Sequence, residues 1–392
     1  MPVQSVPEHV HSEFRRIFGA PARMYRAPGR INIIGEHLDY NGGFVLPSTI
    51  DLFTWAAAAP RDDAVIEVHL CNVGSRHRIA LGDLRRDGSG DVTEYLKGVA
   101  WAMQREGLEP GGCNLVIGGN IPLGGGLSSS ASLELLLAFI LTDFSRAHLD
   151  PERMAQLCHA AEAEFVGVQC GIMDQYAIAL GASGQAMMLD CRSQDYQFYP
   201  LPMAAKFLVT HSGVNRRLPA GGYNSRRDEC TAALALLDQS LPGLQFLAEL
   251  TLDQLETSRA LLGDTLFRRC RHVVTENRRV KAACQAMQND DLDLLGSLMN
   301  ASHRSLRDDY AVSCPELDAL VEIAGACGGV LGSRMMGGGF GGCTLSLVHL
   351  DAVSETGRTI RREYSKVLGR EPWMHVAGPA EPVAAVEHGH EP

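Results

Sequence analysis

The pattern of apolar and polar positions predicts strands mixed with helices in the first half of the chain and mostly helices in the second. Residues 8–18 have the spacing of an amphipathic helix, and Ile31, Ile33 and Ile34 have the character of strand core. Charged turns separate further apolar runs of strand length, at residues 45–59, 65–70, 78–81 and 113–117. Helical spacing follows at residues 95–104, 133–144 and 151–165, the last with Pro151 after a good N-cap, Asp150.

The second half begins after Tyr199-Pro200-Leu201-Pro202, the best candidate boundary. Strands are predicted at residues 207–210 and 344–348, and long helical patterns begin between them, near Asn224, Leu266, Asp291 and Pro315. Since 392 residues exceed the length at which single cores usually stop growing, we expect two domains, 1–203 and 204–392. We expect the Pro/Glu/His tail from about residue 379, with His388 and His390, to be disordered.

One loop with almost no side-chain bulk joins the predicted strand 113–117 to the unusually apolar helix 133–144. It contains Gly124-Gly125-Gly126-Leu127-Ser128-Ser129-Ser130. Three glycines let the backbone approach a ligand, and unpaired amides at the helix start favour an anion. The loop predicts a phosphate cradle, although a plain turn with Ser128 or Ser129 as N-cap is the alternative. It matches neither a Walker loop nor Gly-x-Gly-x-x-Gly.

A second dense segment, residues 27–43, places Arg30, Glu36, His37 and Asp39 among glycines. A solvated loop would explain these charges, and His37 with Asp39 could suggest a metal site. Two ligands do not make a coordination shell, however. Carboxylate, imidazole and guanidinium groups together are typical of a pocket that binds a polyhydroxylated ligand.

Two further features carry candidate chemistry. Asp174 is a lone acid in the uncharged run 167–176, and such an acid is either a structural hydrogen-bonding group or a tuned base. Gly337, Gly339 and Gly342 satisfy Gly-x-Gly-x-x-Gly, but a strand is predicted after them where the dinucleotide fingerprint needs a helix. We therefore expect this backbone to pass close to a ligand or to the first domain.

The composition of the chain argues against several classes of partner and site. A net charge of −11 argues against nucleic acid or an anionic membrane. Eleven cysteines without Cys-x-x-Cys spacing indicate neither a disulfide framework nor a zinc cluster. The first 16 residues lack the apolar segment of a signal peptide, and no apolar run has the length of a membrane span. We expect a cytoplasmic monomer.

Three separated motifs resemble the GHMP small-molecule kinases, and within them the galactokinases. They are the segment from Gly29 to Asn41, the loop from Pro122 to Ala131 and the run from Met336 to Gly342. Shorter galactokinase-like runs are residues 170–175, 223–227 and 305–310, and the similarity extends from about residue 22 to about 378. The first motif together with Cys170-Gly171-Ile172-Met173-Asp174-Gln175 is far more specific than the glycine-serine loop.

The resemblance implies an α+β fold, with an N-terminal domain like ribosomal protein S5, a ferredoxin-like C-terminal domain and the active site between them. It implies ATP and Mg²⁺, with phosphate transferred to the anomeric hydroxyl of galactose. By position, Asp174 matches the catalytic base of the family and Arg30 the cation beside it. The positions of the other site residues are as follows: Glu36, His37, Asp39, Gly171, Asp174 and Tyr223 for sugar, residues 124–130 and Tyr95 for nucleotide, and Ser130 and Glu162 for the metal.

The chain departs from the usual family pattern at a few positions near the expected pocket. Leu38 replaces a common Thr, His211 a common Asn, and Gly221-Gly222 a frequent Ser-Glu. These changes are either neutral or reshape the pocket, since one hydrogen bond can alter sugar discrimination by orders of magnitude. The alternatives are therefore a sugar-1-kinase for N-acetylgalactosamine or arabinose and a non-catalytic galactose sensor. The sensor is disfavoured because it would need neither Arg30 nor Asp174.

Overall fold

A computed structural model describes residues 5–214 and 222–386. Its strands lie in three sheets. The strands are β1 (Arg23–Asn32), β2 (Phe44–Val45), β3 (Pro47–Pro60), β4 (Val65–Leu70), β5 (Ser75–Ala80), β6 (Cys113–Gly119), β7 (Gln185–Asp190), β8 (Tyr196–Pro200), β9 (Ala205–His211), β10 (Val330–Met335), β11 (Cys343–His349), β12 (Trp373–Val376) and β13 (Ala384–Val386).

Helices pack on these sheets and connect them. They are α1 (Val6–Phe18), α2 (Val92–Arg105), α3 (Ser129–Ser145), α4 (Pro151–Ala160), α5 (Met173–Leu180), α6 (Gly222–Leu237), α7 (Leu252–Thr257), α8 (Arg259–Gln288), α9 (Leu292–Asp308), α10 (Pro315–Gly325) and α11 (Val353–Leu368). A π-helical turn, Ala161–Val166, extends α4. The mixture of sheets and helices agrees with the predicted α+β class.

The first sheet has six strands in the order β13-β1-β3-β6-β4-β5, and only the β4–β6 pair is parallel. The second sheet, β2-β7-β8, and the third, β10-β11-β9-β12, are antiparallel. Helix α3 packs against β1 and β3 and also contacts α2, α4 and α5. Its apolar sequence follows from this position, because a helix covered on every side has no polar face.

The division predicted between residues 203 and 204 falls between β8 and β9, where the chain passes from the second sheet to the third. The last strand, however, returns to the first sheet, where Ala385 pairs with Tyr25 of β1. The expectation of disorder from about residue 379 is therefore wrong for residues 379–386. Residues 387–392 of that tail, with His388 and His390, lie outside the described residues.

Several local predictions need correction. Asp150 lies at the N-cap of α4, but its side chain accepts no capping bond, and one of its oxygens lies 3.2 Å from Nε2 of His148. The helix predicted from Leu266 begins earlier, at Arg259, with a kink where Gly263 has φ 66°. The sequence analysis did not predict strands β7, β8, β10, β12 and β13 or helices α5, α7 and α11. All of these except α11 are short and have no clear period in sequence. Helix α11 is 16 residues long, and its helical pattern was overlooked.

Candidate active site

The centre of the site is a hydrogen-bonded trio from three separate elements. Arg30 comes from β1, Asp174 from the first turn of α5, and Ser128 immediately precedes α3. Arg30 Nη2 lies 2.7 Å from Asp174 Oδ1, and Arg30 Nε donates to the same oxygen over 2.9 Å. Ser128 Oγ donates to Asp174 Oδ2 over 2.5 Å. The two ionisable groups predicted to act together therefore meet, although 144 positions separate them.

Arg30 also binds the glycine loop. Its Nη1 donates to the carbonyl of Gly126 over 2.5 Å, and its backbone N–H donates to the carbonyl of Leu127 over 3.2 Å. The Arg30 side chain is only 5% exposed, whereas that of Asp174 is 28% exposed. The guanidinium is thus fixed behind a carboxylate that keeps one side open to the cleft.

Ser128 is not a conventional N-cap. It precedes α3 with φ 61°, a left-handed conformation, and its side chain makes no capping bond. Such a conformation costs a non-glycine residue about 1–2 kcal/mol. The hydroxyl is instead directed at Asp174. The plain N-cap alternative is therefore wrong for Ser128, and strain is stored beside the carboxylate.

The predicted sugar positions line the same cleft as Arg30 and Asp174, and this cleft encloses about 190 Å³. Its walls include Glu36, His37, Asp39, Gly171 and Tyr223, together with Arg30, Asp174, Ser130 and Glu162. All the predicted catalytic, sugar and metal positions therefore surround one space. The wall also contains Val168, Cys170, Met173, Gly337 and Gly338, which the sequence did not single out as sugar contacts.

Glu36 is held from both halves of the chain. Asn32 Nδ2 donates to its Oε2 over 3.0 Å, and the backbone N–H of Gly337 donates to its Oε1 over 2.7 Å. The buried guanidinium of Arg334 lies 3.3 Å from the same Oε1. The third glycine motif thus contacts the segment that carries Glu36. In the sequence, the density of glycines was the feature that indicated this close approach.

Asp39 lies against Gly171 with no space for a side chain between them. A Cβ at Gly171 would be 2.2 Å from Asp39 Oδ2. Burial, with Asp174 and Glu36 nearby, raises the pKa of Asp39 from 3.8 to about 7. This carboxyl is therefore protonated over a wider pH range than an ordinary aspartate, and it can then donate a hydrogen bond.

The raised pKa of Asp39 predicts a pH-dependent stability. Between pH 3.8 and about 7 the folded state keeps a proton that the unfolded state releases, so stability falls as pH rises through this window. We expect the free energy of unfolding of the wild type to fall by on the order of 2–4 kcal/mol over this window, and that of Asp39→Asn to lack this fall. Urea unfolding of both proteins at four pH values measures these free energies. If the two free energies changed in parallel with pH, the raised pKa of Asp39 would be contradicted.

An aromatic cluster covers one side of the sugar positions. The ring centroid of His37 lies 5.6 Å from that of Tyr223 and 4.7 Å from that of Tyr310. His37 Nδ1 and the Tyr40 hydroxyl are 2.9 Å apart, and Tyr40 in turn contacts the Tyr310 hydroxyl at 2.9 Å. Such rings form a rigid wall with polar edges.

The glycine loop has the geometry of a backbone cradle. Gly124 and Gly126 have φ of 71° and 77°, where side chains are disfavoured. A Cβ at Gly125 would lie 3.2 Å from His211 Cδ2, and one at Gly342 would lie 3.2 Å from the Gly125 carbonyl oxygen. The two glycine-rich motifs therefore meet. Strand β11 follows the second motif, so the exclusion of a Rossmann fold is confirmed.

Buried acids lie behind Ser130. Burial together with the Asp174 charge raises the pKa of Glu162, and the nearby Ser130 hydroxyl partly opposes this rise. Gln175 Nε2 bridges Glu162 Oε2 at 2.8 Å and Glu134 Oε2 at 3.2 Å. Among the described residues no hydrogen-bond partner reaches Glu134 Oε1, and no three His, Cys, Asp or Glu residues form a cluster suited to a metal.

A second, mostly apolar pocket of about 150 Å³ adjoins the start of α3. It is lined by Thr54, Leu70, Asn72, Val73, Val92, Ile117, Gly118, Gly119, Ile121, Leu123, Ser129 and Leu133. Tyr95, predicted near an adenine pocket, is not part of this lining. Burial raises its pKa, with Glu162 and Glu134 as the next causes, which places it near the buried acids instead.

The positions that depart from the family pattern differ in their surroundings. Leu38 is fully buried and is not part of the cleft wall, so it acts as core. His211 contacts the glycine loop, and its Nδ1 accepts from the Gly213 N–H over 2.9 Å. A Cβ at Gly222 would lie 3.2 Å from the Phe340 ring, and Gly221 lies outside the described residues.

Comparison with known proteins gives the family. A galactokinase galactose-binding signature matches residues 12–60, and the GHMP kinase N-terminal and C-terminal domain models match residues 94–182 and 280–366. The galactokinase of Roseiflexus sp. is 39% identical over 384 residues, covering 98% of each chain. The chain belongs to the galactokinase family. A galactokinase of Chloroflexus aurantiacus is 43% identical, covering 88% of each chain.

Solved structures agree with this membership. The crystal structure of Lactococcus lactis galactokinase complexed with galactose has a TM-score of 0.93 and 36% identity, covering 97% of this chain and 100% of that one. Methanococcus jannaschii mevalonate kinase, at 18% identity, has a TM-score of 0.67 and covers 92% of this chain and 99% of that one. The predicted GHMP kinase fold is confirmed. In residues 5–214 and 222–386, no helix is long and apolar enough to cross a membrane.

Proposed function

We propose that the chain transfers the γ-phosphate of ATP to the anomeric hydroxyl of galactose, with Asp174 as general base. The observation that carries this proposal is that Arg30 and Asp174, hydrogen-bonded to each other and backed by Ser128, line one cleft with the predicted sugar positions. A sugar hydroxyl is a poor nucleophile at neutral pH, so a carboxylate that accepts its proton lowers the barrier. The Arg30 guanidinium, fixed against that carboxylate, stabilises the negative charge that develops on the sugar oxygen.

The sugar is oriented by Glu36, His37, Asp39, Gly171 and Tyr223. Carboxyl groups, an imidazole and a phenol offer both donors and acceptors, which suits a ring carrying a hydroxyl on most carbons. Gly171 has a steric role, because its missing Cβ leaves room for Asp39. Support comes from their common position on the cleft wall.

The nucleotide binds across the start of α3. Backbone amides of residues 124–130, from Gly124, Gly125, Gly126, Leu127, Ser128, Ser129 and Ser130, would hold the phosphates near the positive end of the helix dipole. The apolar pocket beside Ser129 accommodates the base. Tyr95 then supports the acidic side of the site rather than the adenine.

Ser130 and Glu162 are the residues that would hold Mg²⁺. Burial and their mutual repulsion raise the pKa of Glu134 and Glu162 beside Asp174, and a bound divalent cation would relieve that repulsion. Hydroxyl and carboxylate oxygens are the hard ligands that such a cation prefers. When bound, Mg²⁺ supplies charge neutralisation on the phosphate oxygens. The chain acts as a cytoplasmic monomer, and its eleven free thiols support a reducing compartment.

The function is tested by offering the protein ATP with a panel of hexoses and pentoses, including N-acetylgalactosamine and arabinose. We expect ADP release with galactose, and a ³¹P and ¹H NMR spectrum with phosphate on carbon one. Phosphate on another carbon would contradict the proposed regiochemistry. Preference for another sugar would favour the related sugar-1-kinase, and no ADP at saturating galactose and ATP would favour the sensor.

A further inference from the structure

Helix α8 has a polar edge directed at the segment that carries the sugar positions. His272 Nε2 lies 3.1 Å from the carbonyl oxygen of Glu36, and Glu276 Oε1 accepts the Gly35 N–H over 3.0 Å. Asn277 Oδ1 accepts the Phe44 N–H over 2.8 Å. His272 and Glu276 lie four positions apart and so share one face of the helix, and Asn277 borders that face. All three side chains hold backbone groups between residues 35 and 44.

The chemistry of His272 fixes the direction of its hydrogen bond. A carbonyl oxygen only accepts, so Nε2 carries the proton and donates to Glu36, while Nδ1 lies 3.0 Å from Ser305 Oγ. Burial lowers the pKa of His272 to about 4. The imidazole is therefore neutral at physiological pH, with its proton on the nitrogen that holds the sugar segment.

Glu276 is a fully buried anion, and both of its carboxylate oxygens accept hydrogen bonds. Its Oε1 also accepts from Ser302 Oγ over 2.6 Å, and its Oε2 accepts from Arg279 Nε over 2.6 Å. Burial opposes its ionisation, but Arg279, His272 and Arg334 outweigh burial and lower its pKa to about 2. A buried ion pair adds little to the stability of a fold, because apolar residues of similar size often stabilise the fold as well or better.

The backbone that α8 holds has little freedom of its own. Gly35 has φ 106°, and a Cβ there would lie 2.8 Å from the Phe44 carbonyl oxygen and 3.0 Å from Val280 Cγ2. His37, two residues on, has φ 63°. Residues in such sparsely populated conformations persist only where the surroundings impose them, and α8 supplies those surroundings.

We infer that the polar edge of α8, defined as His272, Glu276 and Asn277, positions residues 35–37 and the adjacent Phe44, and so sets sugar affinity without touching the sugar. This inference rests on the proposed function. These are positioning residues, because none of them is part of the cleft wall. The helix lies in the second half of the chain, whereas the segment it holds lies in the first.

The test compares Glu276→Leu with Glu276→Gln. The amide oxygen of Gln still accepts the Gly35 N–H, whereas Leu cannot. We expect Glu276→Leu to raise the galactose KM at least 10-fold, with kcat and the ATP KM within about threefold of wild type, and Glu276→Gln to recover most of the affinity. The matched control is Asn300→Leu, because Asn300 likewise accepts a backbone N–H, from Ser333, but holds β10.

Each outcome decides the inference. If Glu276→Leu lowers the melting temperature as Asn300→Leu does, with an unchanged galactose KM, α8 is structural only and the inference is wrong. If Glu276→Leu does not fold, Asn277→Leu replaces it, with an expected 3–10-fold rise in galactose KM. If wild type does not phosphorylate galactose, the proposed function fails, and the sugar preferred in the panel is used in the same comparison.

Discussion

Replacing Asp174 by Asn is expected to lower kcat by ~10²–10⁴-fold, the usual contribution of a general base. The amide has nearly the same shape as the carboxylate and can still accept from Arg30, but it cannot take a proton from the sugar hydroxyl. We therefore expect the galactose KM to stay within about tenfold of wild type. Steady-state measurement of ADP release at saturating ATP gives both constants.

Asp143→Asn is the matched control for this variant. Its carboxylate also accepts from an arginine and a hydroxyl, Arg23 Nη1 at 2.8 Å and the Tyr25 hydroxyl at 2.6 Å, but it is remote from the cleft. The control should keep wild-type kinetics. Turnover of Asp174→Asn near the wild-type rate would remove Asp174 from the role of base.

Replacing Gly171 by Ala is expected to raise the galactose KM by roughly 10–100-fold, because overpacking a filled site costs about 1–3 kcal/mol. The added methyl group would lie 2.2 Å from Asp39 Oδ2, so the carboxyl has to move away from the sugar position. The ATP KM is expected to stay unchanged. Calorimetric titration with galactose measures the loss of affinity directly.

Gly82→Ala is the control for Gly171→Ala. A Cβ at Gly82 meets nothing within 4 Å and its φ is not in the left-handed region, so the same methyl group should leave kinetics unchanged. If Gly171→Ala bound galactose as tightly as wild type, the close approach of Gly171 to Asp39 would have no role in sugar recognition.

The sequence was most informative where a backbone or charge requirement is local. Gly124 to Gly126 and the apolar helix after them predicted a cradle, and the structure places positive φ and the start of α3 there. The cluster Arg30, Glu36, His37 and Asp39 predicted a polar pocket, and all four line the cleft. The metal alternative for His37 and Asp39 gains no support, because no third His, Cys, Asp or Glu side chain among the described residues joins them in a cluster suited to a metal.

Contacts between distant segments could not be predicted from pattern alone. Nothing in the sequence pairs Ser128 with Asp174, because the bond depends on a left-handed φ that no propensity indicates for serine. Arg334 lies in β10, a strand that the sequence analysis did not predict, yet it is fully buried and binds Glu36. His272 and Glu276 are residue types that are ordinary on the solvated face of a helix. Only the fold shows that both side chains are buried.

The return of β13 to the first sheet has a consequence for synthesis on the ribosome. Strand β1, which carries Arg30, pairs with β13 through Met24, Tyr25 and Arg26. The partner residues, Ala384 to Val386, emerge only after strands β1 to β12 have been translated. Until then this edge of β1 presents unsatisfied amides and carbonyls, a known route to misassembly. Nascent chains stalled before residue 384 should therefore aggregate or recruit chaperones more readily than released ones.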